Sequence, residues 1–146
     1  MKLTLPALIL FATACFACIG VAASASGLLV TTQQDMTEER SEPFTQERFM
    51  AAQAAGLAIL VDISASWCPT CRRQGEVIGQ ILERGEFADL VILKLDWDDQ
   101  RQLAHGFGAR RQSTLVVYRG VDEVGRAIAI TSDGDIQSLL SQAYAN

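Results

Sequence analysis

Leu57-Ala58-Ile59-Leu60-Val61-Asp62-Ile63-Ser64-Ala65-Ser66-Trp67-Cys68-Pro69-Thr70-Cys71 joins an aliphatic run to two thiols three residues apart. Leu57 to Ile63 is aliphatic and β-branched without alternation, apart from Asp62, which is the pattern of a strand covered on both faces. Pro69 suits the first position of a helix, where its missing N–H would be unpaired anyway. Cys68 then becomes the N-cap, its sulfur facing the free amides of Thr70 and Cys71. Helix dipole and amides stabilise a thiolate there, so Cys68 is expected to ionise below the ordinary value of ~8.5 and to be the attacking sulfur. Cys71, inside the first turn, is expected to be less exposed and to resolve the mixed disulfide. Such a pair carries a two-electron exchange with another molecule's thiols and needs no cofactor. Arg72 and Arg73 follow directly and add positive potential in a minor role.

The first 25 residues of the 146 have a composition of their own. Lys2, an apolar run from Leu3 to about Val21, and the small residues Ala23-Ser24-Ala25 form the three-part layout of a secretory signal peptide over 1–25. A retained leader, or one lipidated at Cys15 or Cys18, would instead anchor the chain to a membrane. Cleavage removes Cys15 and Cys18 and leaves Cys68 and Cys71 as the only cysteines, with no partner for a structural bridge. Export implies an oxidising compartment, and so simple a leader suggests the bacterial periplasm. The whole chain carries −5, and loss of Lys2 makes this about −6. An acidic surface argues against nucleic acid as a partner.

Beyond the leader, 26–43 is a polar lead segment that forms either an added edge strand or a loose arm. One alternating domain follows over 44–146. Thr45 caps a helix to about Ala55, with Phe49 and Met50 expected on its buried face. Pro69 to about Arg84 is helical, with Val77, Ile78, Ile81 and Leu82 as its apolar stripe and Gly85 as its stop. Leu90 to Leu95 is the next buried strand, and Asp98 to about His105 a short polar helix. Thr114–Tyr118 and Glu123–Ile130 form a hairpin through Gly120. Asp133 or Asp135 caps a last helix whose Ile136, Leu139, Leu140 and Ala143 cover the sheet.

A carboxylate within a buried strand is expensive unless paired or protonated. Burial raises its pKa and a nearby cation lowers it, so Asp62 is placed to titrate near neutrality and take the proton of Cys71. Lys94, the only lysine left after cleavage, is the candidate cation. A purely structural pair, or a Lys94 that reaches out to solvent, is the alternative.

This order of elements, with the CxxC after the first long strand, resembles the thioredoxin fold from about Phe44 to Tyr144. Asp62 stands where thioredoxins carry a buried aspartate, Trp67 matches the tryptophan before the first cysteine, and Lys94 matches the lysine that pairs with the aspartate. Phe107-Gly108-Ala109-Arg110 and Thr114–Tyr118 resemble the stretches on either side of the family's cis-proline loop. The resemblance implies an α/β, three-layer fold with a central mixed sheet of four to five strands flanked by helices. It also implies Cys68, Cys71, Asp62 and Lys94 as the catalytic set, and a substrate surface at Trp67, Pro69, Thr70, Gln112, Ser113 and Thr114.

Two departures stand out. Ser113 replaces the cis-proline, and a cis bond before a non-proline residue costs roughly 3 to 4 kcal/mol, which predicts a trans bond and a reshaped loop beside the thiols. Ser113 is placed to offer its amide to an extended substrate and its hydroxyl to the Cys68 sulfur. Gly75-Glu76 replaces the proline that bends the active-site helix.

The expectation is a monomeric, exported thiol-disulfide oxidoreductase acting on disulfide-bearing proteins. Thr70 puts no charge inside the motif, which leans towards a reductase fed by an inner-membrane electron transporter. The alternative is a module in which two chains share a metal or iron-sulfur cluster through four cysteines. A mononuclear zinc site lacks ligands, since His105 is the only histidine.

Overall fold

The computed structural model describes residues 40–145, so the leader and most of the lead segment lie outside the described residues. The described chain runs β1 (Ser41–Pro43), α1 (Gln46–Ala54), β2 (Ala58–Ser64), α2 (Pro69–Glu83), β3 (Val91–Asp96), α3 (Arg101–Gly106), β4 (Thr114–Arg119), β5 (Asp122–Ile128) and α4 (Asp133–Ser141). A short 3-10 turn, Gln142–Tyr144, follows.

One five-stranded sheet has the order β1-β3-β2-β4-β5. β1 and β2 both pair with β3 in parallel, whereas β4 is antiparallel to β2 and β5. Within 26–43 the edge-strand option is realised at Ser41–Pro43, where Pro43 meets Lys94 in register. β2 is central, and only Ser64 at its end reaches solvent. Its alternate residues face opposite layers. Ile59, Val61 and Ile63 join Phe44, Phe49, Leu93, Leu95 and Val116 on one face. Leu60 joins Val77, Ile78, Ile81, Leu115, Ile136 and Leu140 beneath α2 and α4 on the other. Helices on both sides of a mixed sheet make the three layers expected from the sequence.

The helices start and stop for local reasons. The Thr45 hydroxyl accepts the N–H of Arg48 and begins α1, as expected. α1 buries Phe49 and Ala52 and leaves Met50 57% exposed, a correction to the expected apolar face. At nine residues the helix presents a stripe too narrow for both Phe49 and its neighbour Met50. α2 is continuous through Gly75, and Gly85 takes φ 79 just after its end. α3 begins at Arg101, later than Asp98, because the Asp96 carboxylate accepts the N–H groups of Asp98 and Asp99 and holds them in a turn. Ser132 caps α4 by accepting the N–H of Asp135, which corrects the expected Asp133 or Asp135 cap. Both aspartates lie instead in the first turn, where a negative charge meets the positive helix end.

Candidate active site

Cys68 and Cys71 are joined as a disulfide, with Cα atoms 5.3 Å apart. Cys68 is the N-cap of α2 and Pro69 opens the helix, as the sequence predicts. The Cys68 sulfur accepts the N–H of Cys71 at 3.2 Å. Both cysteines are buried, Cys68 at 3% and Cys71 at 7% exposure, so the expectation of a more exposed Cys68 is corrected. The cause lies overhead: Ser113 sits against both sulfurs and shields Cys68 as well as Cys71.

Ser113 is fully buried, and its Oγ lies 3.1 Å from each sulfur. Its backbone adopts φ 62. Proline is fixed near φ −65°, so this is a conformation that a proline cannot take, and the loop is reshaped as its sequence predicts. The Ser113 carbonyl accepts the N–H of Ala129 at 2.8 Å and the Nε2 of Gln74 at 3.4 Å. Thr114 is buried, and its hydroxyl donates to the Arg111 carbonyl at 2.8 Å. Its hydroxyl therefore ties the loop together from within. Gln112, half-buried, is left at the rim of the loop.

Asp62 is 3% exposed and lies beside Lys94 across β2 and β3. Its Oδ1 has no hydrogen-bond partner. Burial pushes its carboxyl up to about 6, with the Lys94 charge and a hydrogen bond to Ser64 opposing the rise. Asp62, Lys94, Cys68, Cys71, Arg72 and Gly75 all line one cleft of about 590 Å³, closed on its far side by β1. The predicted catalytic set is thus gathered along one cleft.

Trp67 is 58% exposed beside Cys68, and its indole N–H donates to Asp98 at 2.7 Å. Pro69 is exposed and Thr70 half-buried at the same end of α2. Trp67, Pro69 and Thr70, named for a substrate surface by the resemblance, thus lie together beside Cys68 at the start of α2. Asp98 as the anchor of Trp67 was not foreseen, nor was Gln74. Gln74 is fully buried. Its spacing of three, four and seven residues from Val77, Ile78 and Ile81 was the signal, since it places Gln74 on the buried stripe of α2. Among the described residues, no group of three or more His, Cys, Asp and Glu is disposed to hold a metal.

The family model described as thioredoxin matches residues 40–142. The thioredoxin of Chlamydia muridarum is 31% identical over 98 residues, which cover 67% of this chain and 93% of that one. Thioredoxin H2-1 of Oryza sativa subsp. japonica is 33% identical over 75 residues, 51% of this chain and 53% of its own, so the chain spans about half of that relative. Among solved structures, Trxlp from Edwardsiella tarda EIB202 superposes with a TM-score of 0.65 at 36% identity, covering 68% of this chain and 97% of that one. These likenesses and the Cys68–Cys71 pair support dithiol chemistry, and none supports the alternative of a cluster shared by two chains.

Proposed function

The chain belongs to the thioredoxin family and is a protein-disulfide oxidoreductase, and from that premise we propose that it is an exported reductase of protein disulfides. The observation that carries the reading is the Cys68–Cys71 disulfide at the start of α2, sharing a cleft with the buried carboxyl of Asp62. In the reduced protein the Cys68 thiolate attacks a substrate disulfide. One new S–S bond forms, the substrate S–S bond breaks, and the released thiolate takes a proton from water. Cys71 then gives its proton to Asp62 and attacks the Cys68 sulfur. The intramolecular disulfide forms, the mixed disulfide breaks, and the second substrate thiolate takes a proton from water, so that the substrate leaves as a dithiol carrying two more electrons. Lys94 keeps Asp62 from being held fully protonated, so the carboxylate is available as a base around neutrality.

Support for the direction comes from Thr70, which puts no cation inside the motif. A less stabilised thiolate makes the dithiol the better reductant. Support for export comes from the leader-like Met1–Ala25 and from a remaining chain whose only two cysteines are the reactive ones. Electrons for repeated turnover outside the cytoplasm must cross a membrane, which calls for a membrane electron transporter that presents a dithiol to Cys68–Cys71.

The deciding measurement is the reduction potential in glutathione buffers, together with fractionation of the tagged full-length chain. A reductase lies near or below about −230 mV, in the range of thioredoxins and glutaredoxins. A value near the roughly −120 mV of strong periplasmic oxidants would reverse the direction. Recovery of the tagged chain in the cytoplasm with its leader intact would overturn export.

A further inference from the structure

Gln74 is the one polar side chain on the buried stripe of α2. It has no access to solvent, and its Oε1 has no hydrogen-bond partner. Leaving such an acceptor unpaired in a core costs about 1 to 3 kcal/mol, and a leucine or methionine would fill the same space without that cost. Its other end, Nε2, meets the carbonyl of Ser113, the residue whose hydroxyl lies 3.1 Å from both sulfurs. In the disulfide neither sulfur has a proton, so the hydroxyl is the only donor available, and its single hydrogen is directed to one sulfur or the other or shared between them.

Resting on the reductase reading above, we propose that the Ser113 hydroxyl is a catalytic group that donates its hydrogen bond to whichever sulfur carries negative charge during exchange, with Gln74 as the residue that positions it. In the dithiol the hydroxyl turns to the Cys68 thiolate. When Cys68 is bound in the mixed disulfide it turns to the Cys71 sulfur, on which charge develops as the proton leaves for Asp62. When a thiolate of the electron-donating dithiol attacks Cys68, the internal disulfide breaks and the charge leaves on Cys71. When the donor's second thiolate then closes the donor disulfide, the mixed disulfide breaks and the charge returns to Cys68. Only rotation about the Cβ–Oγ bond separates these states, because Oγ is equidistant from the sulfurs. Ser113 stays protonated throughout, and no proton is exchanged through it.

The backbone supports this use of the hydroxyl. At φ 62 the serine is in the left-handed region, which a residue other than glycine adopts at a cost of order 1 kcal/mol. Two bonds to its carbonyl, from Ala129 and Gln74, hold it there. A fixed proline over the thiols offers no donor, so the serine replaces an inert cover with a hydrogen-bonding one. A hydrogen bond to a charged group contributes about 1.5 to 3 kcal/mol, equivalent to at least about one pKa unit at Cys68.

The test is the pH dependence of iodoacetamide alkylation of the reduced protein, with the equilibrium against glutathione measured on the same samples. Ser113→Ala is expected to raise the Cys68 titration by about one unit and to shift the glutathione equilibrium about tenfold towards a stronger reductant, close to 30 mV. Ser113→Gly suits φ 62 and also lacks the hydroxyl, so it serves where the alanine variant folds poorly, with the same expected shift. Gln74→Met should move both readouts in the same direction, and should add nothing to Ser113→Ala because the two act through one hydrogen bond. Titrations of both Ser113 variants that coincide with the wild type would overturn the proposal. An additive effect of Gln74→Met on Ser113→Ala would overturn the positioning role. Wild-type protein that failed to equilibrate with glutathione would overturn the oxidoreductase reading itself, a result separate from either.

Discussion

Asp62 and Lys94 sit opposite each other across the parallel pair of β2 and β3, and yet Oδ1 of the carboxylate has no hydrogen-bond partner. The lysine offsets part of the desolvation of its neighbour, and the remainder leaves the carboxyl at about 6, well above the ordinary 3.8. A carboxyl held so high favours the native state when protonated. Its contribution is present below about pH 4, and is lost as the pH rises through 6.

Asp62→Asn should therefore stabilise the protein at pH 8, by up to about 3 kcal/mol, and leave stability near pH 4 almost unchanged. Urea unfolding at the two pH values measures this. The same variant should lose the rise in the rate of mixed-disulfide resolution that the wild type shows through about pH 6. Equal stability gains at both pH values would mean that Asp62 is not a strained ionised group.

The loop over the thiols predicts a second result. Ser113→Pro forces φ from 62 to about −65°, and so breaks the contacts of its carbonyl with Ala129 and Gln74. The expected loss is more than about 1 kcal/mol in denaturant titration, even though proline is the residue that the resemblance would have placed there. A variant as stable as the wild type would show that the loop accommodates both backbones.

The layer opposite α2 gives a third. Phe49 packs on Phe44, Phe107 and Tyr118 with ring centroids 5.2 to 5.7 Å apart. Phe49→Ala should cost about 3 to 5 kcal/mol, and Met50→Ala next to it no more than about 0.5 kcal/mol. Thermal or urea melts of the pair separate the observed face of α1 from the one that its sequence suggests.

The sequence made the strands and the thiol site legible because they rest on strong local rules. Leu57–Ile63 and Leu90–Leu95 are unbroken aliphatic runs, and Cys68-Pro69 is a cap followed by a residue made for a helix start. Asp62 was visible as a charge inside one of those runs. The α4 cap was not, since Thr131-Ser132-Asp133-Gly134-Asp135 offers several side chains able to accept an amide, and only the backbone decides that Ser132 does so. Met50 was misplaced because a nine-residue helix gives too little periodicity to tell two adjacent apolar residues apart. The left-handed turn at Ser113 had no local signal, because serine is at home in many conformations and this one is imposed by the bonds of Ala129 and Gln74. Gln74 was overlooked for a related reason: a polar residue on an apolar stripe reads as an interruption until its partner is seen across the fold.

The central claim is that Cys68 exchanges with a substrate disulfide and Cys71 then resolves it. Reduced Cys71→Ala protein incubated with a small disulfide-bonded protein such as insulin should accumulate a covalent adduct that maps to Cys68 by mass spectrometry and disappears on reduction. Cys68→Ala treated in parallel should give little or none. Failure of Cys71→Ala to form the adduct, or an adduct equally abundant in the Cys68 variant, would contradict the account.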